Sequence, residues 1–168
     1  VKAIGSTKPL AAAPPDSVRV FRFYSGDGNK DVAYVFNGIV SGLGGYRHSK
    51  LYAEIINEPS QWDAGVIEFA EAIVPHLHAA GLKVALPCWS TGTPEEQVWQ
   101  TWRARGWAGA DACAIHAYWG NEGFTPWHAL RFSRFWKQGD PPVLITECGR
   151  DAIEGGKEGK CVKPLSDA

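Results

Sequence analysis

The chain has 168 residues, 45% of them apolar, with 8 tryptophans and a formal net charge of -1. That is the length of one domain with material for a sizeable core, which excludes disorder over most of the chain. Its 17 Lys and Arg residues are scattered, which argues against nucleic-acid and membrane partners and favours a neutral one.

From the N-terminus, residues 1–17 carry Pro9, Pro14, Pro15 and an alanine run and read as an arm or linker. Strand cores follow at residues 18–23, 51–56, 82–87, 112–116 and 143–146. The last four recur about every thirty residues, the span of one strand-helix unit.

Between them, residues 31–43 read as a helix running into the loop of Tyr46, Arg47 and His48. Ser60 is a cap for a helix with Trp62, Val66, Phe69, Ile73 and Leu77 at three-four spacing, which Pro75 should kink or shorten before Gly81. Thr93-Pro94 opens another with Val98, Trp99 and Trp102. Thr125-Pro126 opens a third with Leu130, Phe132, Phe135 and Trp136, ending at Gly139. Strands apolar on both sides with helices between them describe a buried parallel sheet, hence an α/β domain over residues 18–153. Residues 154–168, with Gly155, Gly156 and Gly159, read as a polar tail and contain no phosphate-cradling motif.

Cys88, Cys113, Cys148 and Cys161 show neither a CxxC pair nor zinc-site spacing and read as buried or semi-buried free thiols. A Cys148–Cys161 disulfide is the easiest to form, and the pairing stays open. No run of about 20 apolar residues and no leader-like N-terminus is present, and with Val1 first both a cytoplasmic and a secreted location stay open.

Two strings run an apolar strand straight into a carboxylate: Ile55-Ile56-Asn57-Glu58-Pro59 and Leu144-Ile145-Thr146-Glu147-Cys148-Gly149. Glutamate fits strands poorly, so two such placements need a reason. One alone reads equally well as a structural ion pair or helix-start carboxylate. In a parallel α/β sheet, ligands gather beyond the C-terminal strand ends, where Asn57, Glu58, Trp89, His116, Tyr118, Trp119, Glu147 and Arg150 fall. Trp89 and Trp119 are either sugar-stacking faces or packing on the core. Tyr46, Arg47 and His48 are further candidates for the cleft, whereas His76, His78 and His128 sit on helices as surface or packing residues. With no HExxH, DxD, histidine triad or G-x-S-x-G, neither a metal nor any other cofactor is expected.

Asn57-Glu58-Pro59 closing one strand, His116-Ala117-Tyr118 two units later and Thr146-Glu147 one unit beyond resemble the large superfamily of retaining glycoside hydrolases with (β/α)8 barrels. Over residues 50–150 that resemblance implies hydrolysis of β-glycosidic bonds, with Glu58 as acid/base after strand 4 and Glu147 as nucleophile after strand 7. It also implies a sugar 2-hydroxyl on Asn57, a hydrogen bond from Tyr118 to Glu147, and an orienting role for His116. Trp89, Trp119 and Arg150 complete the expected contacts to a neutral oligosaccharide or glycoside.

A full barrel takes about 250 residues, so the expectation is a partial or truncated (β/α)8 barrel covering about strands 3 to 7. Another copy or a further segment would then complete it, with residues 18–23 and 143–146 as naked edges. The alternative is a non-catalytic carbohydrate-binding or structural relative. An unrelated α/β oxidoreductase would need a glycine loop that the sequence does not offer.

Overall fold

The computed structural model describes residues 1–26, 28–119 and 126–150, with Arg150 as backbone only. Six strands, β1 (Lys2–Ile4), β2 (Arg19–Arg22), β3 (Leu51–Glu54), β4 (Lys83–Trp89), β5 (Ala112–Trp119) and β6 (Val143–Arg150), form one parallel sheet in the order β1-β2-β3-β4-β5-β6. Each strand pairs with the next in sequence, so the sheet winds in one direction without the switch point of a doubly wound fold. It curls into an open half-barrel flanked by four helices, α1 (Lys8–Ala11), α2 (Val32–Leu43), α3 (Gly65–Ala79) and α4 (Glu96–Ala104). A partial barrel was the expected architecture, and it has one strand more than the apolar runs indicate.

The additional strand comes from residues 1–17. β1 pairs with β2 in the register Lys2–Val20, Ala3–Phe21 and Ile4–Arg22, and α1 follows it. Three residues are too short to register as an apolar run. Arg19, at the start of β2, ties the remainder down. Its Nε donates to Leu10 O at 3.1 Å, Nη1 to Pro15 O and Ser17 O at 3.1 and 2.9 Å, and Nη2 to Ala13 O and Pro14 O at 3.1 and 3.0 Å. A rigid fork of five N–H donors suits this task in a way that lysine does not.

The helix-facing side of the sheet holds the main core. α2 contributes Val35, Ile39 and Leu43 at four-residue spacing, and α3 contributes Phe69, Ile73 and Leu77 in the same way. Asp31 caps α2 by accepting from the Tyr34 N–H at 2.9 Å, as its position ahead of the apolar stripe indicates. Gly42 lets α2 approach β2, since a Cβ there would lie 2.7 Å from Phe21 Cζ. The tryptophans Trp89, Trp99, Trp102 and Trp107 form one buried cluster with ring centroids 4.9 to 6.3 Å apart.

The opposite, concave face carries small residues, Ala85, Cys88, Ala112 and Ala114, with Tyr52 and Leu144 beside them. Because strand side chains alternate, Glu54 follows Tyr52 onto this face, and His116 and Tyr118 follow Ala114.

Several helix boundaries differ from the sequence reading. Ser60 opens a turn, with Asp63 N donating to Ser60 O at 3.1 Å, and α3 starts at Gly65, whose N–H is taken by Asp63 Oδ1 at 3.0 Å. Pro75 does not shorten α3, which continues to Ala79. Thr93 does not cap α4: its hydroxyl donates to Ser90 O at 2.7 Å, and the helix begins at Glu96.

The expected third helix is absent. Residues 126–139 form turns and a single 3-10 turn at Arg131–Arg134, while Thr125 lies outside the described residues. The buried Asp140 carboxylate gathers this stretch. It accepts from Arg103 Nε and Nη2 at 2.7 Å each, from the Trp99 and Trp107 indoles at 3.1 and 3.3 Å, and from Lys137 N at 2.9 Å. These contacts fold the chain back onto α4, and Trp127, Leu130 and Trp136 stay exposed. The Arg103 guanidinium holds the Asp140 carboxyl well below the usual carboxylate range, despite its burial.

Among the described residues, β1 and β6 are the edges, so β2 is paired on both sides where the sequence had suggested a naked edge. Ile145 on β6 is 46% exposed. The 154–168 tail and Cys161 lie outside the described residues; Cys88 and Cys113 are buried free thiols, whereas Cys148 is free but exposed, contrary to the buried or semi-buried placement expected. No described helix is long and apolar enough to cross a membrane.

Candidate functional site

Five of the six strands deliver polar side chains to one cluster on the concave face. β1 supplies Lys2, β2 Arg22, β3 Glu54 and then Asn57 and Glu58, β5 His116 and Tyr118, and β6 Thr146 and Glu147. The two glutamates of the sequence reading do converge. His116 Nδ1 lies 2.7 Å from Glu58 Oε1 and 3.5 Å from Glu147 Oε2. A shared nitrogen limits those two oxygens to a separation of at most about 6 Å. A shift in the β5–β6 ladder after Ile115 puts His116 directly opposite Glu147.

Glu147 has both oxygens occupied. Lys2 Nζ donates to Oε1 at 2.6 Å with Arg22 Nη1 at 3.3 Å, and the Tyr118 hydroxyl donates to Oε2 at 2.9 Å. The carboxylate is 24% exposed. Its partial burial works to raise the pKa, but Lys2, the charge of His116 and the Tyr118 hydroxyl bring it below the ordinary value. Glu58 is more open, at 37%, and with Asn57, Ile56, Pro59, Ser60, Asp63 and Gly28 it lines a cleft of about 520 Å³.

Glu58 sits in the left-handed region at φ 41°, and its N–H donates to the carbonyl of Cys88, itself at φ 62°, at 3.1 Å. Non-glycine residues in this region carry roughly 1–3 kcal/mol of strain, and such strain collects at functional sites. The tight turn after β3 aims Glu58 back toward β5.

Beneath this pair lies a third carboxylate. Glu54 is 0% exposed; Oε1 accepts from the Thr146 hydroxyl at 3.0 Å and faces His116 Nε2 at 3.3 Å, and Oε2 lies 2.5 Å from Lys2 Nζ, off the hydrogen-bonding direction. Burial pushes Glu54 toward the neutral acid, but the His116 hydrogen bond and Lys2 outweigh it and bring its pKa down to about 2. For His116, burial lowers the pKa, and its bonds to Glu54 and Glu58 with the nearby Glu147 charge raise it above the ordinary value. The Cys88 thiol is pushed well up by burial and by Glu54.

Of the other residues singled out from sequence, Asn57 stands in the cluster, its Oδ1 accepting from Arg22 Nη1. Trp119 is half-buried near the end of β5, and the Arg150 side chain lies outside the described residues. Trp89 is 1% exposed inside the tryptophan cluster, so it packs the core and presents no face to a ligand. Tyr46 and His48 lie at the opposite end of the sheet, where the Tyr46 hydroxyl donates to Leu10 O at 3.1 Å and His48 contacts Arg19 at 2.7 Å. Arg47 adjoins them and bonds Tyr46 O at 2.8 Å. They follow α2 and precede β3, and such loops meet the N-terminal face.

Lys2, Arg22, Glu54 and Thr146 are site residues that the sequence reading passes over. Glu54 carries a signal of its own, a second carboxylate inside the apolar strand that ends in Glu58. Among the described residues no group of three or more His, Cys, Asp and Glu side chains has metal-binding geometry. Comparison with protein-family models, with curated proteins and with solved structures yields no match, leaving the open parallel half-barrel and its carboxylate cluster as the defining features.

Proposed function

We propose that the protein hydrolyses β-glycosidic bonds with retention of configuration, with Glu147 as nucleophile and Glu58 as acid/base. The observation that carries this reading is the meeting of both carboxylates at one nitrogen of His116, at 2.7 and 3.5 Å. Inverting enzymes need roughly 6.5–9.5 Å between carboxyl groups to admit a water, and retaining ones about 5–5.5 Å. The upper limit of about 6 Å on the nearest oxygens favours the shorter class.

Each group suits its role. Glu147 is ionised and oriented, so a lone pair can attack the anomeric carbon as the glycosidic bond breaks. Glu58 faces the cleft and gives its proton to the departing oxygen. Once Glu147 is esterified its negative charge is gone, and Glu58, now a carboxylate, takes a proton from the water that cleaves the ester. Asn57, fixed by Arg22, stands where a sugar hydroxyl would meet it. A neutral oligosaccharide or glycoside fits a polar cleft beside these groups.

The test is hydrolysis of aryl β-glycosides. Glu147→Ala should abolish turnover, while Glu58→Ala should keep measurable activity only on substrates with a good leaving group. Unchanged rates in both variants would refute the assignment. The β1 and β6 edges, unpaired among the described residues, favour a second reading, a carbohydrate-binding or structural relative without turnover. Saturable sugar binding with no hydrolysis by the unaltered chain would select it.

A further inference from the structure

We propose that Glu54 is a positioning residue that holds His116 and Lys2 in place, and through them sets the hydrogen bonding of Glu58 and Glu147. The inference rests on the glycosidase reading for what those two carboxylates do. Its foundation is a chain of polar contacts across four strands, Glu58–His116–Glu54–Lys2–Glu147, at 2.7, 3.3, 2.5 and 2.6 Å. Lys2 also meets Glu147 at 2.6 Å, and His116 meets Glu58 at 2.7 Å and Glu147 at 3.5 Å.

A plain structural ion pair explains this poorly. A buried ion pair stabilises a fold no better than well-packed apolar residues, and the surrounding face is built from alanines that could accept such packing. Thr146 adds a hydroxyl from β6 that donates to the Glu54 carboxylate at 3.0 Å and restrains its rotation. A carboxylate held so firmly can dictate which imidazole nitrogen carries a proton.

With Nε2–H committed to Glu54, His116 Nδ1 is left to meet Glu58. Lys2 Nζ lies 3.4 Å from Nε2, so without the Glu54 charge the ammonium can donate to Nε2 instead. The ring would then carry its proton on Nδ1, and an Nδ1–H donor holds Glu58 as a carboxylate, the wrong form for protonating a leaving group. The low proton affinity of Glu54 agrees with its acting as the acceptor for Nε2–H. Facing these groups are Lys2 from β1, Arg22 from β2, Glu58 after β3, Cys88 from β4, Tyr118 from β5 and Glu147 from β6.

The experiment compares Glu54→Gln with the unaltered chain and with Glu58→Ala on aryl β-glycosides of graded leaving-group acidity. Glu54→Gln keeps the shape and an acceptor oxygen but removes the charge. It should lower kcat/KM by about 10- to 100-fold for poor leaving groups and by less than about threefold for dinitrophenolate, with the basic limb of the pH profile moved to lower pH. A uniform loss across leaving groups with an unmoved basic limb would mark a merely structural role and overturn the proposal. If Glu54→Gln does not fold, ¹⁵N spectra of the unaltered chain decide: above the folded-state pKa of His116 the neutral ring should carry its proton on Nε2, and a neutral Nδ1–H tautomer would overturn the proposal. Leaving-group dependence in Glu58→Ala but not in Glu54→Gln defeats this inference alone, whereas its absence from Glu58→Ala defeats the glycosidase reading.

Discussion

Replacing Arg19 by methionine keeps an apolar stem of similar reach and removes the whole guanidinium. Five carbonyls between Leu10 and Ser17 then lose the Arg19 donor, although Leu10 O keeps the Tyr46 hydroxyl and Pro14 O the Ser17 N–H. A hydrogen bond from a charged donor contributes about 1.5–3 kcal/mol when nothing replaces it, but most residues from 11 to 17 are exposed and water can reach several of these oxygens. Discounting for that, the expected loss is about 3 kcal/mol, measured as a shift in the urea midpoint at constant m-value. Arg19→Lys should fall within about 1 kcal/mol of Arg19→Met, because one ammonium cannot reach five acceptors spread along eight residues. Hydrolysis should fall as well, since the tethered segment continues from β1, which brings Lys2 to Glu147. A loss below about 1 kcal/mol in Arg19→Met, or full stability in Arg19→Lys, would refute the reasoning.

Stability should depend on pH in two directions. Glu54 is held at about 2 against an ordinary 4.5, so its contribution is complete above pH 4.5 and disappears as the pH falls toward 2, a change of about 3 kcal/mol. His116 is raised above 6.5, so its contribution is complete below that value and is lost as the pH rises through the folded-state pKa. Urea midpoints should therefore peak between pH 4.5 and 6.5, and a midpoint still climbing at pH 8 would contradict the pairing. Asp140→Asn should cost about 2–4 kcal/mol, because Arg103 loses its charge partner and two indole N–H groups lose an anionic acceptor. Gly42→Ala should cost about 1–3 kcal/mol in thermal or urea unfolding, because the Phe21 ring that blocks the new methyl is fully buried and cannot swing away; a neutral result would mean that α2 shifts freely.

The barrel-like architecture was legible because four strand cores recur at a fixed interval, and burial of both faces keeps those runs apolar. Glu58 and Glu147 were legible for the opposite reason, as charges where such a run ends. The short β1 left no run to read, and Lys2, its contribution to the site, was hidden with it. Residues 126–139 carry apolar residues at helical spacing, yet Asp140, which has no local signal, ties that stretch to Trp99, Arg103 and Trp107. Trp89 shows the limit of reasoning from position along a strand. One residue's change of register decides whether an indole faces the cleft or the helices, and the ladder shift between Pro87 and Trp89 turns it toward the helices.

The grouping of tryptophans also gives the molecule an optical partition. Four indoles linked by five ring contacts with centroids 4.9 to 6.3 Å apart should couple their near-ultraviolet transitions and share excitation, so circular dichroism from this set reports the integrity of the α4–β4 packing. Trp62, Trp127 and Trp136 face solvent, and Trp119 stands half-buried on the strand that carries His116, so these emit at longer wavelength and are open to iodide. A sugar settling near Trp119 would alter the outer emission and leave the inner dichroism untouched, whereas unfolding would alter both. Occupancy and integrity can thus be followed as separate signals in one unlabelled sample.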